Sequence, residues 1–184
     1  GDIVRTAEYY AGTEKGGATY KIVSSAPSYL GTLNHAKTDG SGYYLEIVSF
    51  DGKITKAGCL DNGTDYAQNI EDSSSLAASL GISIDIDTDV TCDNTAALSS
   101  SVVGSGEISG DFDTLFSVSV DDISIEGIAV NATLASGTLS PVLVEAIDTS
   151  GLTIRGCKLT NVRTRHRNQQ LSTYKNFRFE DNTV

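Results

Sequence analysis

In Val120-Asp121-Asp122-Ile123-Ser124-Ile125-Glu126-Gly127-Ile128-Ala129-Val130, two isoleucines flank one serine, Glu-Gly follows, and an apolar run closes the stretch. Alternation with period two buries one face of a β-strand. The pattern returns in Ser150-Gly151-Leu152-Thr153-Ile154-Arg155-Gly156-Cys157-Lys158-Leu159. A weaker echo closes the chain, Lys175-Asn176-Phe177-Arg178-Phe179-Glu180-Asp181-Asn182-Thr183-Val184. From Ile123 to Leu152 is 29 residues, and from Leu152 to Phe177 is 25. Recurrence at such a period marks units that bury their faces against one another. The pattern therefore predicts a mainly β protein whose residues 82–184 form a right-handed parallel β-helix. Only the first coils are expected, with the stack truncated inside the third echo.

Upstream of this stretch the alternation is already clear. Ile82, Ile84 and Ile86 alternate with polar residues, and further apolar strands follow around residues 102–108, 115–120 and 142–146. The intervening turns are rich in Ser, Asn, Asp, Thr and Gly. Residues 62–81 have helical spacing, with Tyr66, Ala67, Ile70, Ala77 and Leu80 on one face. Thr64 is expected to cap this helix, with Asp65 in its first turn and Gly81 as its stop. A lone amphipathic helix before a solenoid covers the exposed backbone of the first coil. Residues 1–60 differ, with clustered glycines, the pairs Tyr9-Tyr10 and Tyr43-Tyr44, and Asp51-Gly52 as a hairpin signal. Residues 24–41 show too little periodicity to assign. Three segments result: an N-terminal β-unit over 1–60, a linker and capping helix over 61–81, and the β-helix over 82–184.

Hydrophobic residues make up 39% of the 184, enough for a core, and no apolar run reaches the ~18 residues of a membrane span, so no membrane insertion is expected. Methionine is absent, which points to a processed product or an excerpt of a longer protein. The net charge of −11 is uneven: residues 1–150 hold six Lys/Arg against 22 Asp/Glu, whereas 151–178 hold seven Lys/Arg and no acid. An acidic body argues against nucleic acid as a partner. Cys59, Cys92 and Cys157 show neither a disulfide framework nor a zinc spacing, so buried free thiols are expected and no metal or other cofactor is implied.

Residues 1–20, with Tyr9-Tyr10, Lys15-Gly16-Gly17 and Tyr20, and Asp39-Gly40-Ser41-Gly42-Tyr43-Tyr44-Leu45-Glu46 resemble the neck of bacteriophage tailspikes, within the wider pectate-lyase-like right-handed β-helix proteins. Ala57-Gly58-Cys59-Leu60-Asp61-Asn62-Gly63-Thr64-Asp65 stands where such proteins lead into their capping helix, with Cys59 for the usual alanine and Asn62 for the usual aspartate. Val103-Gly104-Ser105-Gly106-Glu107-Ile108 resembles the G-x-G-x-I of a first full coil. The resemblance implies a homotrimer on the virion, attached to a phage tail or baseplate protein through its N-terminal region. It further implies recognition, and degradation, of a bacterial capsule or O-antigen polysaccharide at the host cell surface. Most catalytic carboxylates of the family would lie past Val184. A free-standing secreted lyase or hydrolase and a non-enzymatic β-helical adhesin are the alternatives.

Asp111, Asp113, Asp121, Asp122 and Glu126 are the acidic candidates for glycoside chemistry, and Asp121, Asp122 and Glu126 are the weak catalytic candidates retained. Such chemistry needs two carboxyls about 5–5.5 Å or about 6.5–9.5 Å apart. Matching positions of stacked coils lie about 4.8 Å apart. Glu126 should therefore stack against Arg155, which favours an exposed inter-coil pair over catalysis. Asp85, Asp87 and Asp89 read as a solvated outer face. Arg155, Arg163, Arg165, His166 and Arg167 form the candidate contact surface. They can bind an acidic polysaccharide through charge-assisted bonds, or dock on a neighbouring subunit. His35 reads as plain loop surface.

Overall fold

The computed structural model describes residues 1–8, 16–37, 39–133, 141–162 and 177–184. Its first sheet is antiparallel, built from β1 (Ile3–Arg5), β2 (Thr19–Val23), β3 (His35–Ala36) and β4 (Tyr44–Ile47) in the order β1-β2-β4-β3. Register puts Val4, Tyr20 and Ile47 side by side, and likewise Ile22, Leu45 and His35, so these six share one face. The unassigned stretch before β4 supplies Leu33 and Asn34 to the core. Asn34 is buried because its carboxamide is satisfied at both ends: Nδ2 donates to Ser28 O, and Oδ1 accepts the Ile47 N–H at 2.6 Å.

Asp51-Gly52 does not make the expected hairpin. β4 stops at Ile47, and a single 3-10 turn, Ile54–Ala57, replaces the second arm. Ile54 and Ala57 are spaced i, i+3, which a 3-10 turn eclipses on one side, and both are fully buried. The Gly52 carbonyl accepts the Asp85 N–H at 2.9 Å, and Lys53 pairs in parallel with Asp85.

The helix α1 (Ala67–Leu80) begins later than the sequence spacing predicts. Thr64 does not cap it. The Asp65 carboxylate accepts the Ala67 N–H at 3.1 Å instead, and Gly81 ends the helix in a left-handed conformation as expected. Ala67, Ile70, Ser73, Ser74 and Ala77 form the buried face.

Among the described residues twelve further strands follow, and all pair in parallel. They are β5 (Ile84–Ile86), β6 (Val90–Thr91), β7 (Ala96–Leu98), β8 (Val102–Gly104), β9 (Glu107–Gly110), β10 (Thr114–Val118), β11 (Ser124–Glu126), β12 (Ala129–Ala132), β13 (Val142–Ala146), β14 (Thr153–Arg155), β15 (Lys158–Thr160) and β16 (Arg178–Glu180). The first parallel sheet is β5-β8-β11-β14-β16, the second β6-β9-β12-β15, and the third β7-β10-β13. From β5 to β15 the chain visits the three sheets in rotation, giving a β-helix-like stack. Ser124 pairs with Thr153 and Thr153 with Arg178, so the 29- and 25-residue spacings of the sequence are the register of the first sheet. Inside, Ile84, Val102, Ile125 and Ile154 form one column, and Val90, Ile108, Val130 and Leu159 another; all eight are buried. Each such side chain contributes about 1.5–3 kcal/mol of burial free energy.

The stack's leading edge is covered on all three sides. Gly52 and Lys53 lie along β5. Asp65 pairs with Thr91, and the Tyr66 N–H donates to Thr91 O at 2.9 Å, along β6. Helix α1 covers β7: Ser74 Oγ accepts the N–H groups of Ser99 and Ser100, each at 2.9 Å, and Glu71 accepts that of Ala97 at 3.1 Å. An uncovered edge is a template for pairing with other chains. Helix α1 thus covers this edge with side-chain acceptors as well as by packing.

Candidate functional site

The outward face of the first parallel sheet carries the sequence-predicted residues. Along each strand the residues flanking the buried position point out, so β11, β14 and β16 present Ser124 and Glu126, Thr153 and Arg155, and Arg178 and Glu180. Glu126 and Arg155 stack as expected, with Arg155 donating to Glu126 Oε2 at 2.6 Å. That bond holds the Glu126 carboxyl below the usual range, against a slight opposing effect of burial, and raises the Arg155 guanidinium. Glu180 pairs with Arg155 from the other side, and its charge, with that of Asp181, adds to the rise. Glu180 was legible in the sequence, since it follows Phe179 as Arg155 follows Ile154. A general acid needs the opposite shift, toward the protonated form. The geometry of Glu126 is that of an ionised pairing group.

Several aspartates of the stack and of the segment that covers it accept backbone N–H groups of adjacent levels. Asp121 accepts the Ser150 N–H at 2.7 Å, Asp93 that of Asp111 at 2.9 Å, Asp89 that of Glu107 at 2.8 Å, and Asp65 that of Asp93 at 3.0 Å. Asp87 takes both the N–H and the hydroxyl of Thr55. Asp122 occupies a left-handed corner at φ +58°, and its own N–H donates to Ser150 O. Of the Asp85, Asp87 and Asp89 face, only Asp89 is exposed; the other two are half-buried against residues 52–55. Burial and then the Asp87 charge push Asp85 upward. Asp111 and Asp113 stand apart from Glu126, at the end of β9 and before β10.

Arg163, Arg165, His166 and Arg167 lie outside the described residues. All three cysteines are buried free thiols, as expected. Burial pushes the Cys92 thiol up to about 12, so it stays protonated.

A cleft of about 670 Å³ opens on the antiparallel sheet, lined by Val4, Tyr20, Leu45 and His35 on its floor and by Glu8, Lys37 and Asp39 among its rim residues. Sequence pattern alone did not mark it. His35, read as loop surface, is a β3 residue whose ring meets Tyr20 edge-on, with centroids 5.8 Å apart, and burial lowers its pKa. At the rim, Lys37 and Asp39 pair at 2.8 Å.

No protein-family model matches the sequence, and no curated protein matches it. Solved structures do. The tailspike protein of the Acinetobacter phage vB_ApiP_P1 superposes with a TM-score of 0.55 at 15% identity, over 95% of this chain and 37% of its own. Tailspike protein gp49 of the Acinetobacter baumannii bacteriophage Fri1, a capsular polysaccharide depolymerase, superposes with a TM-score of 0.56 at 14% identity, over 98% of this chain and 39% of its own. The chain thus spans about two fifths of the length of these structures. Sheet, cap and parallel stack together have a tailspike-like fold.

Proposed function

We propose that the chain acts within a bacteriophage tailspike, on the virion tail, where the spike recognises and degrades a capsular or O-antigen polysaccharide of the bacterial surface. The observation that carries this reading is the superposition of the antiparallel sheet, cap and stack on two tailspikes, one of them a capsular polysaccharide depolymerase. In this reading the coils wind right-handed, as nearly all parallel crossover connections do, and three copies associate. Residues 1–60 serve as the neck, and the cleft floored by Tyr20 and His35 faces the tail partner. Residues 61–81 are the cap, and 82–184 begin the β-helix.

On the first sheet, Glu126 serves Arg155 rather than a scissile bond. Asp121 and Asp122 brace the corner before β11. Arg155, Thr153 and Arg178, together with Arg163, Arg165, His166 and Arg167, contact sugar or a neighbouring subunit. Levels about 4.8 Å apart repeat at close to the length of a sugar ring, which suits an extended glycan. The test is the mass of the purified protein by light scattering, followed by incubation with capsular polysaccharide and sizing of the products. A trimer that binds and shortens the glycan supports the proposal. A monomer with no effect on any capsule or O-antigen preparation overturns it. A trimer that binds without cleaving corresponds to the adhesin alternative.

A further inference from the structure

Asn62-Gly63 is the one Asn-Gly pair in the chain, and it lies just ahead of Asp65 on the segment that covers the second parallel sheet. Both residues are exposed. Asn62 Oδ1 accepts two hydrogen bonds, from the Thr64 N–H at 3.0 Å and the Tyr66 hydroxyl at 3.1 Å. Two donors on one amide oxygen withdraw electron density from Cγ and make it a better electrophile. Gly63 is left-handed at φ +74°, with nothing within 4 Å of the place a side chain would take. Its N–H makes no hydrogen bond to the described residues. Lacking a side chain, glycine lets its nitrogen swing toward the preceding side chain at small steric cost.

We propose that Asn62 is a site of spontaneous self-modification, passing through a cyclic succinimide to aspartate and isoaspartate. Hydroxide takes the Gly63 amide proton, and the nitrogen forms a bond to Asn62 Cγ. The Cγ–Nδ2 bond then breaks, and Nδ2 leaves as ammonia after taking a proton from water, which regenerates hydroxide. Water opens the ring by one of two bonds. Breaking N–Cγ restores the ordinary peptide and leaves aspartate. Breaking the bond from Gly63 N to the Asn62 main-chain carbonyl carbon routes the chain through Cβ and leaves isoaspartate. Either way one water is consumed and one ammonia released, and neither an oxidant nor a reductant is needed.

The two products differ in what they do to the cap. Aspartate at 62 keeps an oxygen for both Thr64 and Tyr66. Isoaspartate adds a methylene to the main chain and moves the carboxylate away from both donors. Its effect passes to Asp65, whose carboxylate holds the Asp93 N–H and the Asn94 side chain of the next level. The protein therefore ages into two forms, one with an intact cap and one with a loosened cap.

The experiment is incubation of the folded protein at mildly acidic and mildly alkaline pH. Asn62, Asn94 and Asn131 are followed by peptide mapping, and isoaspartate by enzymatic methyl labelling. Asn94 and Asn131 are also exposed but precede Thr95 and Ala132, so they are internal controls. Asn62 is expected to convert severalfold faster than both, faster at alkaline pH, and to slow in Gly63→Ala. Conversion no faster than at Asn131 in the folded protein, with rapid conversion in a denatured sample, would mean that the fold shields the pair and would overturn the proposal. Should Gly63→Ala fail to fold, the comparison among the three asparagines decides alone. Asn62→Asp should melt like the parent and the separated isoaspartyl form lower; equal melting of the two would overturn the assignment of Asn62 to the cap.

Discussion

Gly127 shows what a single position does in this architecture. It stands in a column with Gly104, Gly156 and Asp181, all left-handed in φ, at the corner where each coil leaves the first sheet. A Cβ on Gly127 would lie 2.8 Å from the Gly104 carbonyl oxygen. Gly127→Val should therefore lose roughly 1–3 kcal/mol to backbone strain alone, and more to that contact. Gly156→Ala, with nothing within 4 Å, should lose less, on the order of 1 kcal/mol. Urea melts of the two variants check the order. His35 sets a pH dependence. Burial lowers its folded-state pKa from the usual 6.5, so in the window below 6.5 the unfolded chain binds more protons than the native one. This contribution to stability is complete above 6.5 and is lost as pH falls toward the folded-state value. His35→Gln should flatten that part of the melting-temperature profile; an unchanged slope would assign it to another group. The paired Glu126 has the carboxylate sign: its contribution is present above the ordinary glutamate range and is lost in acid.

At the scale of an element, α1 is a set of backbone acceptors as much as an apolar stripe. Its middle, Ser73-Ser74-Ser75, is a poor helix former, yet Ser74 is where the helix bonds the chain after β7. Ser74→Ala should strand two N–H groups and cost about 1–3 kcal/mol. Hydrogen exchange at Ser99 and Ser100 should accelerate more than exchange in β14; uniform acceleration would place the effect elsewhere. The interior columns behave differently, because their contribution is volume. Ile125→Ala removes a fully buried side chain between Val102 and Ile154 and should cost about 2–5 kcal/mol by denaturant melting.

For the whole molecule, the question is what the cationic end of the chain meets. Residues 1–150 are strongly acidic and residues 151–178 carry only positive charge, so the two are complementary within one chain or between copies. In the spike proposed above, replacing Arg163, Arg165 and Arg167 together with Ala should abolish glycan binding while preserving the oligomer, if the block contacts sugar. Loss of the oligomer with retained glycan binding would assign the block to a subunit interface. Raised salt should weaken whichever contact is present, because exposed charge pairs are screened over about 8–10 Å at physiological ionic strength.

In a parallel in-register stack, equivalent positions of successive repeats become neighbours, so a pattern along the chain is also a pattern in space. For that reason the sequence alone determined the register of β11, β14 and β16, the Gly-or-Asp corner and the meeting of Glu126 with Arg155. Tertiary structure decided what depends on the atoms that a neighbouring element leaves unsatisfied or covers. Asp51-Gly52 satisfies every local rule for a hairpin, but Ile54 and Ala57 reach the core only if the chain turns under the first coil. Thr64 is a good cap by type, but Asp65 lies where it can serve Ala67 and Asp93 at once. Asp85, Asp87 and Asp89 looked like a solvated face because nothing in their spacing records residues 52–55, which cover the first two, or the Glu107 N–H that Asp89 accepts. His35 and the cleft around it were hidden for a similar reason: they draw on β1, β2, β3 and β4, which meet only when the chain folds.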